Sequence, residues 1–244
     1  MNLVKKLPIG LGLACLMMMS SCSKEDAAVS PSSPQASEQM YSSHKGVTYV
    51  FPFFSPTIGA TGKGSYPAGW GNLSEDDKLG FPAGTSSLTN LWGESALPWE
   101  KPLPAIPSAP NANSVVTTYN ITESVLHDFQ NHSVAGTTIK NLVAGKKYAI
   151  TFYASTTKLK GPSQSVQDYA SGIQVRLFAG ANKILQTEIN FTGKAEWVAK
   201  TINFVASGDE ITFKFNPTSS SQFTETYAHL FVDHNSIKEL KFNL

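Results

Sequence analysis

The chain has 244 residues, 19 basic against 18 acidic side chains, and 41% hydrophobic content, so it is long enough for one large β domain or two small ones. Its only arginine is Arg176, and no basic stripe or stacking motif accompanies it, which excludes a nucleic-acid binder. Both cysteines fall within the first 22 residues, so no disulfide can staple the remainder and its fold must rest on its core.

Lys5 and Lys6 precede an apolar stretch over residues 7–19, interrupted by Gly10 and Gly12 and followed by Ser20 and Ser21. That run is too short to span a bilayer and reads as a signal peptide over residues 1–21. The order Met19-Ser20-Ser21-Cys22 resembles a bacterial lipobox, which implies that Cys22 becomes the first residue and carries lipid. Cys15 has Gly12 at the apolar lipobox position and a shorter hydrophobic run before it. An ordinary secreted protein is the plain alternative, and it would leave Cys22 as one unpaired thiol. Without the signal, 17 basic residues face 18 acidic ones, a net charge of −1. Ser23-Lys24-Glu25-Asp26 is similar to the acidic export tag of Bacteroidota surface lipoproteins. The resemblance implies an outer-membrane, lipid-anchored, surface-exposed protein, with periplasm-facing retention as the other orientation. Residues 27–45 are Ser, Ala, Pro and Gln with almost no large apolar side chain, too little to bury. The expected organisation is a signal at 1–21, a lipidated Cys22 with a flexible tether at 22–45, and one domain at 46–244.

Residues 47–54 read as an opening strand without a carboxylate. Between residues 55 and 113 alternation fails, and Gly and Pro recur alongside Tyr66, Trp70, Phe81, Trp92 and Trp99. An irregular segment of that length is usually functional or disordered, and three tryptophans argue against disorder. Trp70 is expected to be structural. Trp92 or Trp99 is expected to be exposed, giving sugar C–H groups a flat ring, with Asn90, Glu94 and Glu100 near enough in sequence to read hydroxyls. The opposing reading is a satellite core that pins the loops down.

Residues 123–130 could form a short turn of helix. From Ile139 onward apolar and polar residues alternate at the period of half-buried strands. The shared faces are Tyr148, Ile150, Phe152 and Ala154; then Ile173, Val175 and Leu177; Val198, Ile202 and Phe204; Ile211, Phe213 and Phe215; and Leu230, Val232 and Ile237. Gly-containing turns separate them. The expected fold is an all-β sandwich. Gln174 and Arg176 fall on the polar face of the second strand beside Phe178. A planar guanidinium there could grip vicinal hydroxyls or a uronic carboxylate; the alternative is an arginine on a solvated face or tied to a structural partner.

Residues 141–152, Asn-Leu-Val-Ala-Gly-Lys-Lys-Tyr-Ala-Ile-Thr-Phe, resemble the "L-x-x-G-x-x-Y-x-x-x-F" strand opening of galactose-binding-like jelly rolls, which include many carbohydrate-binding modules. Trp197 leading into residues 201–206, then residues 210–215, then residues 230–237 follow in the family's order, and Tyr66-Pro67-Ala68-Gly69-Trp70 is similar to its "P-G-W" turn. The resemblance covers residues 47–240. It implies a jelly roll that binds glycan without catalysis, for which the residues already singled out offer Tyr66, Trp92, Trp99, Glu94, Gln174 and Arg176 as candidates. It also implies a structural calcium held in part by Asp233, although the opening strand lacks the family's acidic partner and Ca²⁺ wants six or more oxygens. Asp233 capping a turn is the alternative. A structural or adhesive module that meets other surface lipoproteins is the second functional reading. A passing likeness of Gly93-Glu94-Ser95, with His229, Asp233 and His234, to an esterase lacks the strand-turn-helix setting such a nucleophile needs.

Overall fold

A computed structural model describes residues 41–44, 47–74, 81–122, 130–161, 166–219, 221 and 223–241. The signal segment, Cys22, most of the expected tether, and residues 123–129 of the expected helical turn lie outside the described residues. Gln130 opens a strand. Among the described residues no helix is long and apolar enough to cross a membrane.

The chain forms an all-β jelly-roll sandwich. One sheet has nine strands and is built on β6 (Ser114–Thr122), β9 (Lys147–Thr157), β13 (Val198–Val205) and β15 (Thr224–Phe231), in the order β13-β9-β15-β6. It continues from β6 through β5 (Gly84–Ser87) to β3 (Gly62–Lys63); β7 (Gln130–His132), β10 (Val166–Gln167) and β16 (Ile237–Glu239) pair alongside. The other sheet has five strands in the order β12-β11-β14-β8-β4: Asn182–Asn190, Gly172–Ala179, Ile211–Thr218, Ala135–Ile139 and Trp70–Asn72. The chain passes repeatedly from one sheet to the other, as between β8 and β9 or β13 and β14, and this is what makes the sandwich a jelly roll.

The opening segment differs from expectation. β1 (Tyr41–His44), inside the expected tether, pairs with β2 (Val47–Val50) in a separate two-stranded sheet. Pro52 has no N–H to continue a ladder. The chain enters the sandwich one residue later, where Phe53 exchanges two backbone hydrogen bonds of 2.9 Å with Lys140. Phe54 then drops into the core against Trp70 and Phe213.

Period-2 alternation decides the main core. In β9 the even residues Tyr148, Ile150, Phe152 and Ala154 point inward, and from the facing sheet come Ile173, Val175, Leu177, Phe213 and Phe215; all are essentially inaccessible to solvent. Trp70 joins this core and donates from its indole nitrogen to the Ser55 carbonyl at 2.9 Å, the structural role expected of it.

The outward, odd-numbered face of the same sheet is unusual because a strap over residues 88–113 covers half of it. Beneath the strap lie Val115 and Tyr119 of β6, with Tyr227, His229 and Phe231 of β15. β6 is therefore buried on both faces, and its Thr117, Thr118 and Asn120 are fully buried. A strand covered on both sides loses its alternation, which is why β6 has no clear signal in sequence. β12 escapes for the opposite reason: it is an edge strand with few buried positions.

His229 marks the centre of the covered half. Thr117 Oγ1 lies 3.0 Å from its Nδ1, Thr157 Oγ1 lies 2.7 Å from its Nε2, and Trp99 meets it edge-on at 5.1 Å between ring centres. A neutral imidazole can donate from one nitrogen and accept at the other, so both threonines are served. Burial pushes the imidazole pKa down to about 3. Between the free value near 6.5 and that folded value, the unfolded chain takes up a proton that the folded chain refuses. This share of stability is complete above pH 6.5 and drains away as pH falls toward 3, by an amount on the order of a few kcal/mol. Urea unfolding at pH 7.5 and pH 4.5 should show a larger loss for the wild-type chain than for His229→Gln; equal losses would contradict the assignment.

Candidate ligand-binding groove

The strap is the aromatic segment singled out in sequence, and its rings face inward. Trp99 is 2% exposed and Trp92 is 6% exposed, both packed with Leu91, Tyr119 and Tyr227. The Trp99 indole nitrogen donates to the Ser87 carbonyl at 3.1 Å, and its backbone N–H donates to Thr89. Trp92 stands in a left-handed backbone (φ 54°) within a single 3-10 turn, Leu91–Gly93, and Gly93 follows at φ 75° with no room for a Cβ against Thr61. The expectation that Trp92 or Trp99 offers an exposed stacking face is corrected: the apolar outer half of the nine-stranded sheet needs a cover, and these indoles supply it.

The polar groups expected beside them are also placed. Glu94 lies exposed at the tip of the turn. Asn90 accepts from the Thr89 hydroxyl. Glu100 pairs with Lys158 at 2.8 Å and accepts from the Tyr169 hydroxyl at 3.1 Å, and the Lys158 bond heads the causes that lower its pKa. Tyr66 packs half-buried against the main core, and burial raises its phenol to about 12. Gln174 and Arg176 lie on the outward face of the five-stranded sheet, away from the strap. There Arg176 Nη2 donates to Asn216 Oδ1 at 2.8 Å, and Gln174 stands in register between Glu188 and Asn216. The sequence candidates thus scatter among the strap, the edge of the main core at Tyr66 and the outer face of the five-stranded sheet, and do not converge on one site. Nor do the esterase-like residues, since His229 is buried between two threonines and Ser95 is exposed on the strap.

What the strap leaves open forms the groove. Ala149, Thr151 and Tyr153 of β9 form its floor; Asp233, Asn235 and Ser236 in the turn between β15 and β16, Lys238 of β16, and Ser108 of the strap form its walls. It encloses about 230 Å³ and is open to solvent. Thr151 also meets Thr201 of β13 hydroxyl to hydroxyl at 2.8 Å, so the polar row continues onto the next strand. Trp197, just before β13, is half-buried against the strap and donates to the Pro104 carbonyl at 2.9 Å, fixing the strap's edge.

Asp233 takes the turn-capping role. Its Oδ1 accepts from the Asn235 N–H at 2.8 Å, and its own N–H donates to Ser236 Oγ at 3.0 Å. Among the described residues no group of three or more His, Cys, Asp or Glu side chains is placed to hold a metal. One carboxylate engaged in its own turn does not fit the six-oxygen shell that Ca²⁺ requires. The groove itself was missed in sequence. Its signal was available in the odd positions of β9, where Ala149, Thr151 and Tyr153 alternate with the core residues.

No family model and no curated protein matches the chain. Among solved structures it is similar to TmCBM61, a structure in complex with beta-1,4-galactotriose, at 15% identity and a TM-score of 0.35 over 70% of this chain and 99% of that one. It is similar to the K1 cleaved adhesin domain of Lys-gingipain from Porphyromonas gingivalis W83 at 18% identity and a TM-score of 0.38, over 76% and 99% of the two chains. The sugar-binding EclA C-terminal domain follows at 18% identity and a TM-score of 0.29, over 55% and 88%. The jelly-roll sandwich of this protein is read from its own strands.

The burial of Trp99 has a measurable consequence. Trp99→Ala should cost about 3–5 kcal/mol in urea unfolding, the range for a core tryptophan. A loss within about 0.5 kcal/mol, as for an exposed side chain, would return Trp99 to the surface.

Proposed function

We propose that this protein is a lipid-anchored, non-catalytic glycan-binding module whose site is the open groove on the nine-stranded sheet. One observation carries the reading: a half-buried aromatic ring, Tyr153, held at the edge of the strap's apolar cluster, lines one open groove with the exposed Ser108, Asn235 and Lys238. Sugars combine apolar C–H faces with dense hydroxyls, so a ring supplies contact area while Thr151, Asn235, Ser108 and Lys238 supply directional hydrogen bonds. Because the groups rise from strands and a capped turn, little ordering cost accompanies binding. Asp233 is the one carboxylate among the groove-lining residues, whereas glycoside hydrolysis ordinarily uses two flanking the scissile bond. The Met19-Ser20-Ser21-Cys22 sequence supports the anchor at the outer membrane, and the residues after it support surface display.

A protein-binding, adhesive role draws on a different feature, exposed Phe223 and Val166, brought near one another where Val166 pairs with Thr224 at another part of the molecule. The similar structures include sugar-binding and adhesin domains alike, so the choice rests on the groove.

Titration of the mature protein with a panel of soluble oligosaccharides tests it. Binding should weaken about 10-fold or more in Tyr153→Ala and Asn235→Ala, each removing on the order of 1–2 kcal/mol. Binding unaffected by both changes, or absent across the panel while a protein partner is captured through Phe223, would reject the groove.

A further inference from the structure

We infer that the end of the sandwich where the chain enters is a membrane-docking tip that seats the domain on the lipid surface carrying its anchor. This rests on the lipid at Cys22 proposed above. Four apolar side chains stand out at that end: Val50 is 49% exposed, Phe51 54%, Val143 48% and Val205 55%. The backbone ties their segments together. Asn141 Nδ2 donates to the Phe51 carbonyl at 3.1 Å, and the Val143 N–H donates to the Tyr148 hydroxyl at 3.0 Å. Gly145 donates to the Ala206 carbonyl at 2.7 Å, one residue beyond Val205, and Ala206 donates back to Lys146 at 2.9 Å.

Neighbouring charges nearly cancel. Lys140, Lys146 and Lys147 stand near Asp209, Glu210 and Glu239, Lys147 directly opposite Val205, and Lys146 pairs with Glu239 at 2.8 Å. The tip therefore offers apolar contact with no strong field of either sign. Its apolar residues lie on loop ends and beside the entry strand, a shape suited to entering a soft interface more than to mating with a flat protein face.

The place of the tip selects the occupant. Residues 23–40 separate the lipidated cysteine from β1, and a flexible link of that length spans roughly 25 Å on average. A short flexible link supplies an effective concentration of about millimolar, so even a contact with a millimolar dissociation constant is half-populated on the anchored protein. A docked tip would hold the domain upright, with its other loop end directed away from the lipid.

The test uses the mature acylated protein in vesicles of phosphatidylethanolamine and phosphatidylglycerol. Cys15 leaves with the signal and Cys22 carries lipid, so Val143→Cys provides a single thiol for an environment-sensitive fluorophore. The expected result is a blue-shifted emission quenched by brominated lipid. The shift should be lost when Phe51→Glu is added and absent when the probe is placed at Thr192→Cys, at the other end. Water-like emission from Val143→Cys would overturn the inference, as would a blue shift that follows protein density and not lipid. Failure of the anchor reads out separately, as a mature mass without acyl chains. In that event Cys22→Ser restores a single thiol, and the probe at Val143→Cys titrated with excess vesicles decides the tip alone: a blue shift supports docking, and water-like emission overturns it.

Discussion

The outer face of the nine-stranded sheet is covered over β6, β15 and the Ser155–Thr157 end of β9 and open over Thr151 of β9 and over β13, and the arrangement of the rest of the domain answers to that division. The covered half must be removed from water, and among the described residues no α-helix does so. The strap does it with Leu91, Trp92, Trp99, Leu103 and Ile106, all nearly inaccessible. Trp99 over His229 fixes where the strap lies along the sheet, because the imidazole is held from both sides by Thr117 and Thr157 and cannot move to accommodate another register. Where the apolar surface ends, the cover ends, and Trp197 bonded to Pro104 marks the edge.

The groove follows from that edge. A sheet face that needs no cover stays open, and its floor is set by the outward residues of β9, whose inward residues anchor the main core. Rigidity comes from being the reverse side of a packed strand. The turn between β15 and β16 is shaped by Asp233 and Ser236 capping one another, which presents Asn235 at the rim. The site thus consists of polar groups fixed by the same interactions that make the fold, an arrangement suited to recognition with little rearrangement.

Strands with one wet face were legible in sequence. Tyr148 to Ala154, Ile173 to Leu177 and Ile211 to Phe215 alternate because one side meets the core and the other meets solvent, and all three appear where their periodicity puts them. β6 was not legible, since the strap buries its second face, with Val115, Thr117 and Tyr119, while Thr118 and Asn120 stand beside Val116 on the first. The fate of Trp92 and Trp99 could not be read either: an indole that stacks on a ligand and one that covers a sheet have the same sequence, and only the apolar face beneath them decides. The groove drew residues from β9, β16 and two turns, and its members are unremarkable until the register of β16 with β9 sets Lys238 beside Ala149.

The most direct measurement is backbone amide NMR of the domain during titration with a soluble oligosaccharide identified by binding. The account predicts saturable shifts centred on Thr151, Tyr153, Asn235 and Lys238, with little change at Gln174 and Arg176 on the opposite sheet. Shifts centred on Gln174, Arg176 and Asn216, with the β9 floor silent, would contradict it.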